Sequence, residues 1–159
     1  MTIDGTDCPI WEPTPFSPRW YSHKFKGAGV RYEVGVCIQT GSIVWVNGAY
    51  PCGSWSDVKI FRHRLKHLLA PNELVEADKG YKWDDRCRNP DSYVSRSDQR
   101  ASRRARARQE TINHRLKVFN VLNRTYRHDR RKHQWCFVSC AVLVQMSINN
   151  NEKPWQVRY

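Results

Sequence analysis

An alternating pattern over residues 31–40 constrains the fold of this chain more than any other feature. Apolar side chains fall on one side of the segment and mostly polar or small ones on the other, which is typical of a β-strand with one buried face. Thr40-Gly41-Ser42 is a turn signal, and residues 43–46 form a second β-branched and aromatic run. The two segments therefore predict a β-hairpin. Its first strand places Tyr32, Val34, Val36 and Ile38 on one face.

Helical spacing recurs in three segments that follow this hairpin. Residues 57–69 come after an N-cap at Ser56 or Asp57, residues 102–126 carry one apolar stripe, and residues 134–148 are apolar almost throughout. The stripe of the second helix consists of Ile112, Leu116, Phe119 and Leu122. Short strands are predicted at residues 1–3 and 74–77, and residues 93–95 are a further candidate strand.

This order of strands and helices predicts an α/β layer architecture with a mixed central sheet flanked by helices. The chain has 159 residues and 40% hydrophobic content, which suffices for the core of one ordinary domain. We therefore expect a single domain over residues 1–159. Residues 150–159 have no clear period and are interpreted as a C-terminal tail.

The charge balance indicates a polyanionic partner. Twenty-seven Lys and Arg against 15 Asp and Glu leave a formal net charge of +12, which favours nucleic acid. No apolar run approaches the roughly 20 residues that a membrane-spanning helix needs. The first residues, MTIDGTDC, have neither the basic flank nor the apolar block of a signal peptide. A membrane partner is therefore not expected.

The six cysteines are interpreted as reduced thiols, because the chain is large and their spacings show no tight pairing. A zinc site is the alternative. Cys136 and Cys140 lie four residues apart, and so do His63 and His67. However, the chain contains no C-x-x-C, and both pairs lie in predicted core helices.

Three acidic residues are candidates for a metal site. Asp4 and Asp78 each end a predicted strand, and Glu110 lies on the polar face of the second long helix. If the strands are neighbours, one site holds all three, and Mg²⁺ binds such carboxylates while leaving positions for water and phosphate. Two such ions can clamp the attacking and leaving oxygens of a phosphoryl transfer. The structural alternative is a turn at Asp4, a helix cap at Asp78, and pairing of Glu110 with Arg106 or His114.

Four sequence blocks follow one another along nearly the whole chain: IDGTDCPI, GSWSDVKIF, VEADKGY and RARQETINHRLKVFNVL. They resemble the signature blocks of the DDE-type nuclease domain of PIF/Harbinger transposases, including the domesticated harbinger-derived nucleases. The resemblance implies an RNase H-like fold and metal-dependent cleavage and transfer of DNA strands. It also implies Mg²⁺ or Mn²⁺ as the cofactor.

The resemblance assigns the three acids residue by residue. The D of D-G-T falls on Asp4, the D of D-x-G-Y on Asp78, and the E of the final block on Glu110. Asp4 would bridge two ions while the other two acids complete one site each, and Asp78 would end its strand unpaired because its partner is a metal ion. Asp57 matches the D of G-x-x-x-D but is interpreted as a helix cap. Asp7 is placed on the turn after the first strand.

Arginine-rich stretches at residues 96–109 and 124–133 lie near the two ends of the helix that carries Glu110. With a catalytic site between them, they are expected to bind DNA phosphates, which gives salt-dependent affinity without sequence specificity. The candidate DNA-binding residues are Arg106, Arg108 and Lys117. The alternative is an exposed helix stabilised by its own ion pairs. Such blocks also serve as nuclear import signals, and a nuclear location is expected.

The chain begins three residues before Asp4, so the predicted first strand is little more than residues 1–3, and we interpret the domain as truncated at its N-terminus. Two functions of different class therefore remain. The first is a metal-dependent nuclease or transposase catalytic domain. The second is a non-catalytic transposase relic that binds nucleic acid through its arginine clusters. The DNA target, the oligomeric state and the need for an accessory DNA-binding protein stay open.

Overall fold

The computed structural model of this protein describes residues 1–157, so the last two positions of the predicted tail, 158 and 159, lie outside the described residues. A mixed sheet of six strands is flanked by helices, which confirms the predicted α/β, RNase H-like fold class. The strands are β1 (Thr2–Pro9), β2 (Tyr21–Ser22), β3 (Gly27–Val36), β4 (Ile43–Pro51), β5 (Val75–Glu76) and β6 (Cys87–Arg88). The α-helices are α1 (Asp57–His63), α2 (Arg96–Lys117), α3 (Asn120–Asn123) and α4 (Arg130–Asn149).

Strand β1 lies in the middle of the sheet and separates an antiparallel half from a parallel half. On one side β1 pairs antiparallel with β3, and β3 pairs antiparallel with both β4 and β2. On the other side β1 pairs parallel with β5, which pairs parallel with β6. The parallel register joins Thr2 to Glu76. The start of β1 thus lies beside the end of β5, as a site shared between Asp4 and Asp78 requires.

Two apolar cores cover the two faces of the sheet. Because side chains of a strand alternate between faces, Val30, Tyr32 and Val34 of β3 pack under α2, α3 and α4 in the larger core. On the opposite face, Ile3 of β1 and Val75 of β5 pack against α1 in the smaller core. The result is a three-layer arrangement.

No helix within residues 1–157 is long and apolar enough to cross a membrane.

The first strand is longer than the sequence indicated, and the prediction of a strand limited to residues 1–3 is wrong. All eight residues of β1 pair with β3, from Thr2 opposite Val36 to Pro9 opposite Gly29. The Asp4-Gly5 signal does not form a turn, because Gly5 has a packing role in the strand. A Cβ atom there would lie 1.9 Å from Oδ1 of Asp57, so the glycine makes room for that carboxylate.

The hairpin prediction is confirmed, with different bounds. β3 begins at Gly27 and ends at Val36, whereas β4 runs on to Pro51 through residues predicted to be a loop. The first predicted helix is divided: α1 ends at His63, and a 3₁₀ turn, Leu65–Leu68, follows. The candidate strand at residues 93–95 is not a strand; it precedes α2, whose N-cap is Ser95.

The second predicted helix, residues 102–126, begins earlier and ends earlier than expected. α2 starts at Arg96 and stops at Lys117, and the separate short helix α3 follows. The break lets the chain return to the sheet, because the N–H of Tyr126 donates to the Pro9 carbonyl over 3.0 Å and the N–H of Trp11 donates to the Tyr126 carbonyl over 2.8 Å. A straight helix would carry Tyr126 away from β1. The third predicted helix is confirmed as α4, which begins four residues earlier.

Candidate active site

Asp4 lies inside β1 rather than at the end of a strand, which corrects the prediction. The alternation of β1 turns Thr2 and Asp4 toward α2. The Thr2 hydroxyl donates to Oε1 of Gln109 over 2.7 Å, and Nδ2 of Asn113 donates to Oδ2 of Asp4 over 2.7 Å. The other carboxylate oxygen, Oδ1, accepts from the Gly5 N–H at 2.8 Å. Asp4 is therefore held by its own strand and by the helix that crosses it.

Asp78 follows β5, two residues beyond Glu76. Glu76 faces α2, because the Ser102 hydroxyl donates to it over 2.7 Å, and alternation brings the exposed Asp78 toward the same side. The prediction that Asp78 is unpaired within the protein is wrong. Its Oδ1 accepts from the Gly80 N–H at 2.8 Å and caps the 3₁₀ turn Lys79–Tyr81. One oxygen of the Asp78 carboxylate thus forms the helix cap that was the structural alternative to metal binding.

Glu110 reaches the site from α2. The preceding residue, Gln109, is buried and bonds β1 through Thr2 and β3 through the Val34 carbonyl, to which its Nε2 donates over 3.1 Å. These bonds fix the height of α2 over the sheet and leave Glu110 exposed. No ion pair within residues 1–157 involves Glu110, so the pairing with Arg106 or His114 that was the structural alternative is not found there.

The three predicted acids line one cleft. Together with Ile3, Arg106 and Gln109, the side chains of Asp4, Asp78 and Glu110 surround a volume of about 90 Å³. They come from β1, from the segment after β5 and from α2, which are separated by more than 30 residues in the sequence at each step. The fold therefore gathers three carboxylates that no local structure would bring together.

Two acids, Asp4 in the cleft and Asp57 behind it, have pKa values above their ordinary range. Burial raises the pKa of Asp4 to about 6, and the negative charges of Asp78 and Asp57 add to the rise, whereas Lys24 and the Gly5 N–H oppose it. Burial also raises the pKa of Asp57 above its ordinary value, although Arg31 and Lys24 oppose that shift. A divalent cation in the cleft would lower the free energy of these charges.

The donor set fits Mg²⁺ or Mn²⁺, which prefer carboxylate and amide oxygens. Asn113 supports this fit, because its Oδ1 is buried beside Asp4 and has no hydrogen-bond partner within residues 1–157. Within the described residues, however, no group of three Asp, Glu, His or Cys side chains is already arranged to hold a metal ion. The Cys and His pairs of the zinc alternative therefore belong to no such group within residues 1–157. All six cysteines are free thiols.

The predicted DNA-binding residues have three different environments. Arg106 is half-buried and lines the acidic cleft, and its Nε has no hydrogen-bond partner among the described residues. Arg108 is a wrong prediction: it is only 2% exposed and packs near Gly41, so it cannot reach DNA. Lys117 is also wrong as a free phosphate contact, because its ammonium group donates to the carbonyls of Asp7 and Leu122. Lys117 instead ties the end of α2 to β1.

The two other acids of the signature blocks also differ from prediction. Asp57 does not cap α1: Ser56 is the N-cap residue, and the Asp57 carboxylate lies 3.4 Å from Nη1 of Arg31. Asp7 lies within β1 rather than on a turn, where it is buried and accepts from Nε of Arg31 at 2.6 Å and from the Ser22 hydroxyl at 2.5 Å. These hydrogen bonds outweigh the effect of burial and hold the pKa of Asp7 below its ordinary value.

Three residues near the cleft had no predicted role. Asn113 and Gln109 anchor α2 to β1, and the exposed Lys24 lines a second hollow with Asp4 and Glu110 while its Nζ donates to the Gly5 carbonyl over 2.6 Å. The helical spacing of Glu110 and Asn113 was the available signal, since residues three apart share a helix face. Nothing in the irregular segment around Lys24 indicated that it folds back onto β1.

Comparison with known proteins identifies a family for this chain. The family described as DDE superfamily endonuclease matches residues 3–145, and that range contains Asp4, Asp78 and Glu110. No curated protein and no solved structure gives a significant match. Because the family match covers most of the 159 residues, this chain belongs to the DDE superfamily endonucleases.

Proposed function

We propose that this protein is a divalent-metal-dependent DNA endonuclease of the PIF/Harbinger transposase type, with Asp4, Asp78 and Glu110 as its catalytic, metal-binding residues. The observation that carries the proposal is the convergence of these three carboxylates, from three separate elements, in one cleft. Carboxylates placed in this way serve phosphodiester cleavage in two-metal sites. The family membership supports the same chemical class.

In this proposal the protein supplies position and charge. Two Mg²⁺ or Mn²⁺ ions, when bound by the three acids, would activate water and stabilise the charge on the scissile phosphate. Asn113 holds Oδ2 of Asp4 in place through its 2.7 Å hydrogen bond. Arg106, which lines the same cleft with an unpartnered Nε, orients a phosphate oxygen of the substrate.

The substrate proposed is DNA, approached along the first half of α2. Arg96, Arg100, Arg103 and Arg104 are exposed on this helix, and they lead toward Arg106 and the cleft. Contacts of this kind bind phosphates without reading bases. Recognition of particular DNA ends would therefore come from elsewhere, such as a separate DNA-binding protein, and the protein would act in the nucleus.

Calorimetric titration of Mn²⁺ into the wild-type protein and into Asp78→Asn tests the proposal. Asparagine can still accept from the Gly80 N–H, so the turn Lys79–Tyr81 keeps its cap and only the charge is lost. We expect saturable binding by the wild-type protein and at least tenfold weaker binding by the variant. Asp91→Asn is the matched control, because Asp91 is an exposed acid paired with Lys79; it should bind like wild type.

Cleavage of a labelled DNA duplex in Mn²⁺ then follows the same variants. Asp78→Asn should abolish cleavage while leaving its salt-sensitive DNA binding unchanged, because the arginines of α2 are untouched. A folded wild-type protein that binds no Mn²⁺ would refute the proposal.

One observation favours a second function, that of a non-catalytic relic that binds nucleic acid. The described residues contain no preassembled group of three metal-binding side chains, whereas exposed arginines of α2 are already in place. A relic would bind DNA with strong salt dependence and would show no difference between wild type and Asp78→Asn in any assay. The calorimetric titration therefore separates the two functions before any DNA is added.

A further inference from the structure

Helix α4 is apolar on two faces, only one of which is covered. Its inward side packs on the larger core through Phe137, Cys140, Ala141, Val144 and Ile148. Its outward side exposes Trp135 (72%), Val138 (38%), Val142 (52%), Leu143 (51%) and Met146 (53%). No charged residue occurs from Gln134 to Ile148, although the outward face of a surface helix is normally polar. We call the five exposed side chains the α4 stripe.

The α4 stripe continues onto the edge of the sheet. A groove of about 280 Å³ lies between α4 and β4 and is lined mainly by apolar side chains, including Val44, Trp45, Val138 and Val142. Within residues 1–157, β4 pairs with β3 alone. Such an apolar edge promotes association unless a partner covers it. The uncovered surface is therefore one continuous patch on helix and strand.

The spacing of the exposed positions is self-complementary. From Trp135 to Met146 the exposed residues of α4 occur at 135, 138, 139, 142, 143 and 146, a series that is symmetric about the midpoint between positions 140 and 141. A two-fold axis at that midpoint would place Trp135 against Met146 of a second copy and Val138 against its Leu143. Sulfur–aromatic contacts of this kind are favourable. Ser139, a small residue near the axis, lets the two helices approach closely.

The charges at the ends of α4 fit the same antiparallel arrangement. Its first turn, Arg130–Lys132, is basic, whereas the charges of Glu152 and Lys153 cancel just beyond its C-terminal end, Asn149. The C-terminal end carries the partial negative charge of the free helix carbonyls. In an antiparallel pair, each basic end would approach the C-terminal end of the other helix. A nucleic acid does not fit this surface, because the α4 stripe has no basic side chain.

The size of the patch suits a dimer interface. The five stripe residues expose on the order of 500 Å² per copy, and the β4 side chains bring the patch closer to the roughly 800 Å² per partner of a stable interface. We propose that α4 is a dimerisation surface, packing antiparallel against α4 of a second copy about a two-fold axis. The α4 stripe contains no residue of the acidic cleft. Dimerisation through α4 can therefore be tested independently of the endonuclease function.

Sedimentation equilibrium over a range of concentrations tests the proposal. The wild-type protein should sediment at twice the 18.8 kDa mass of the chain. Val142→Glu should raise the dimer dissociation constant on the order of 100-fold or more, because it places a charge in the interface. Val94→Glu is the matched control: Val94 is fully exposed and lies outside α4, so this variant should remain dimeric. Circular dichroism checks that each variant is folded.

A mixed experiment distinguishes a second copy from any other occupant. Val142→Glu and Val142→Lys should each be monomeric, and an equimolar mixture should restore a dimer because the two opposite charges meet near the two-fold axis. A wild-type protein that stays monomeric would overturn the proposal, even if it binds a different protein through α4. A wild-type dimer that Val142→Glu leaves intact would also overturn it, because the interface would then lie on another surface.

Discussion

Glu33 is a buried acid on β3 whose ionisation should set how the stability of this protein depends on pH. Its side chain is fully buried, and burial raises the pKa of Glu33 to about 7 although the Trp45 indole donates to Oε2 over 2.9 Å. The other oxygen, Oε1, has no hydrogen-bond partner in the part of the chain that the structure describes. Glu33→Gln keeps an oxygen that accepts from the Trp45 N–H and removes the charge. The substitution therefore isolates the free-energy cost of burying the ionised carboxylate.

The raised pKa of Glu33 makes the protein less stable as the pH increases. A carboxyl whose pKa is raised by folding stabilises the protein fully only below its ordinary pKa of 4.5, and this contribution is lost as the pH rises through about 7. At about 1.4 kcal/mol for each pKa unit, the full shift corresponds to roughly 3 kcal/mol. Glu33→Gln should therefore be more stable than wild type by up to about 3 kcal/mol near pH 8 and by less than about 1 kcal/mol near pH 5.

Urea unfolding followed by far-UV circular dichroism at these two pH values measures the difference. Glu12→Gln is the control, because it makes the same chemical change at an exposed position and should alter stability equally at both pH values. Glu33→Gln should also leave Mn²⁺ binding unchanged, since Glu33 points to the α1 side of the sheet. If the stability gain of Glu33→Gln is the same near pH 5 as near pH 8, the argument from burial is refuted.

Three further predictions use the contacts around β1. Asp7→Asn should lower the free energy of unfolding by about 3–5 kcal/mol because it leaves the buried guanidinium of Arg31 without its main partner; a loss below 1 kcal/mol in urea unfolding would contradict this. Asn113→Ala should weaken Mn²⁺ binding about tenfold by freeing Asp4, and unchanged calorimetry would exclude a positioning role. Arg106→Gln should lower DNA affinity and reduce the slope of its salt dependence by about one, whereas an unchanged slope would place Arg106 outside the phosphate path.

The sequence predicted those strands whose inward residues are apolar. In β3 the side chains of Tyr32, Val34 and Val36 are buried in the larger core, so the alternating pattern matched the buried face. In β1 the inward residues include Thr2 and Asp4, which face α2 and bond to it. The sequence of such a polar strand resembles that of a turn, because the α2 side chains that bond to it lie more than 100 residues away in the sequence.

The candidate site was predictable only in part for the same reason. The positions of Asp4, Asp78 and Glu110 came from signature blocks, because 15 acids in a chain allow many triples. The residues that hold them were not predictable. Gln109 and Asn113 contact β1 over sequence separations of 107 and 109 residues, and no local pattern encodes such contacts.

Arg106 and Arg108 illustrate a second limit. Two residues along an α-helix correspond to a rotation of about 200°, so neighbouring arginines two positions apart face nearly opposite directions. Arg106 faces the acidic cleft, whereas Arg108 is buried near Gly41, and two of its nitrogens have no hydrogen-bond partner within residues 1–157. Because arginine is rarely buried without a partner, the sequence favoured exposure for both.

Asp7 and Asp57 differ from the acids of the cleft in having an arginine of the protein beside them, and this contrast bears on function. On the α1 face, Asp7 and Asp57 lie against the guanidinium of Arg31, so the protein supplies the compensating charge itself. On the α2 face, burial raises the pKa of Asp4 to about 6, the charge of Asp78 adds to the rise, and Lys24 offsets it only in part. No ion pair among the described residues involves Asp4, Asp78 or Glu110. Three acids gathered in one cleft without an ion-pair partner there favour a role in binding an external cation.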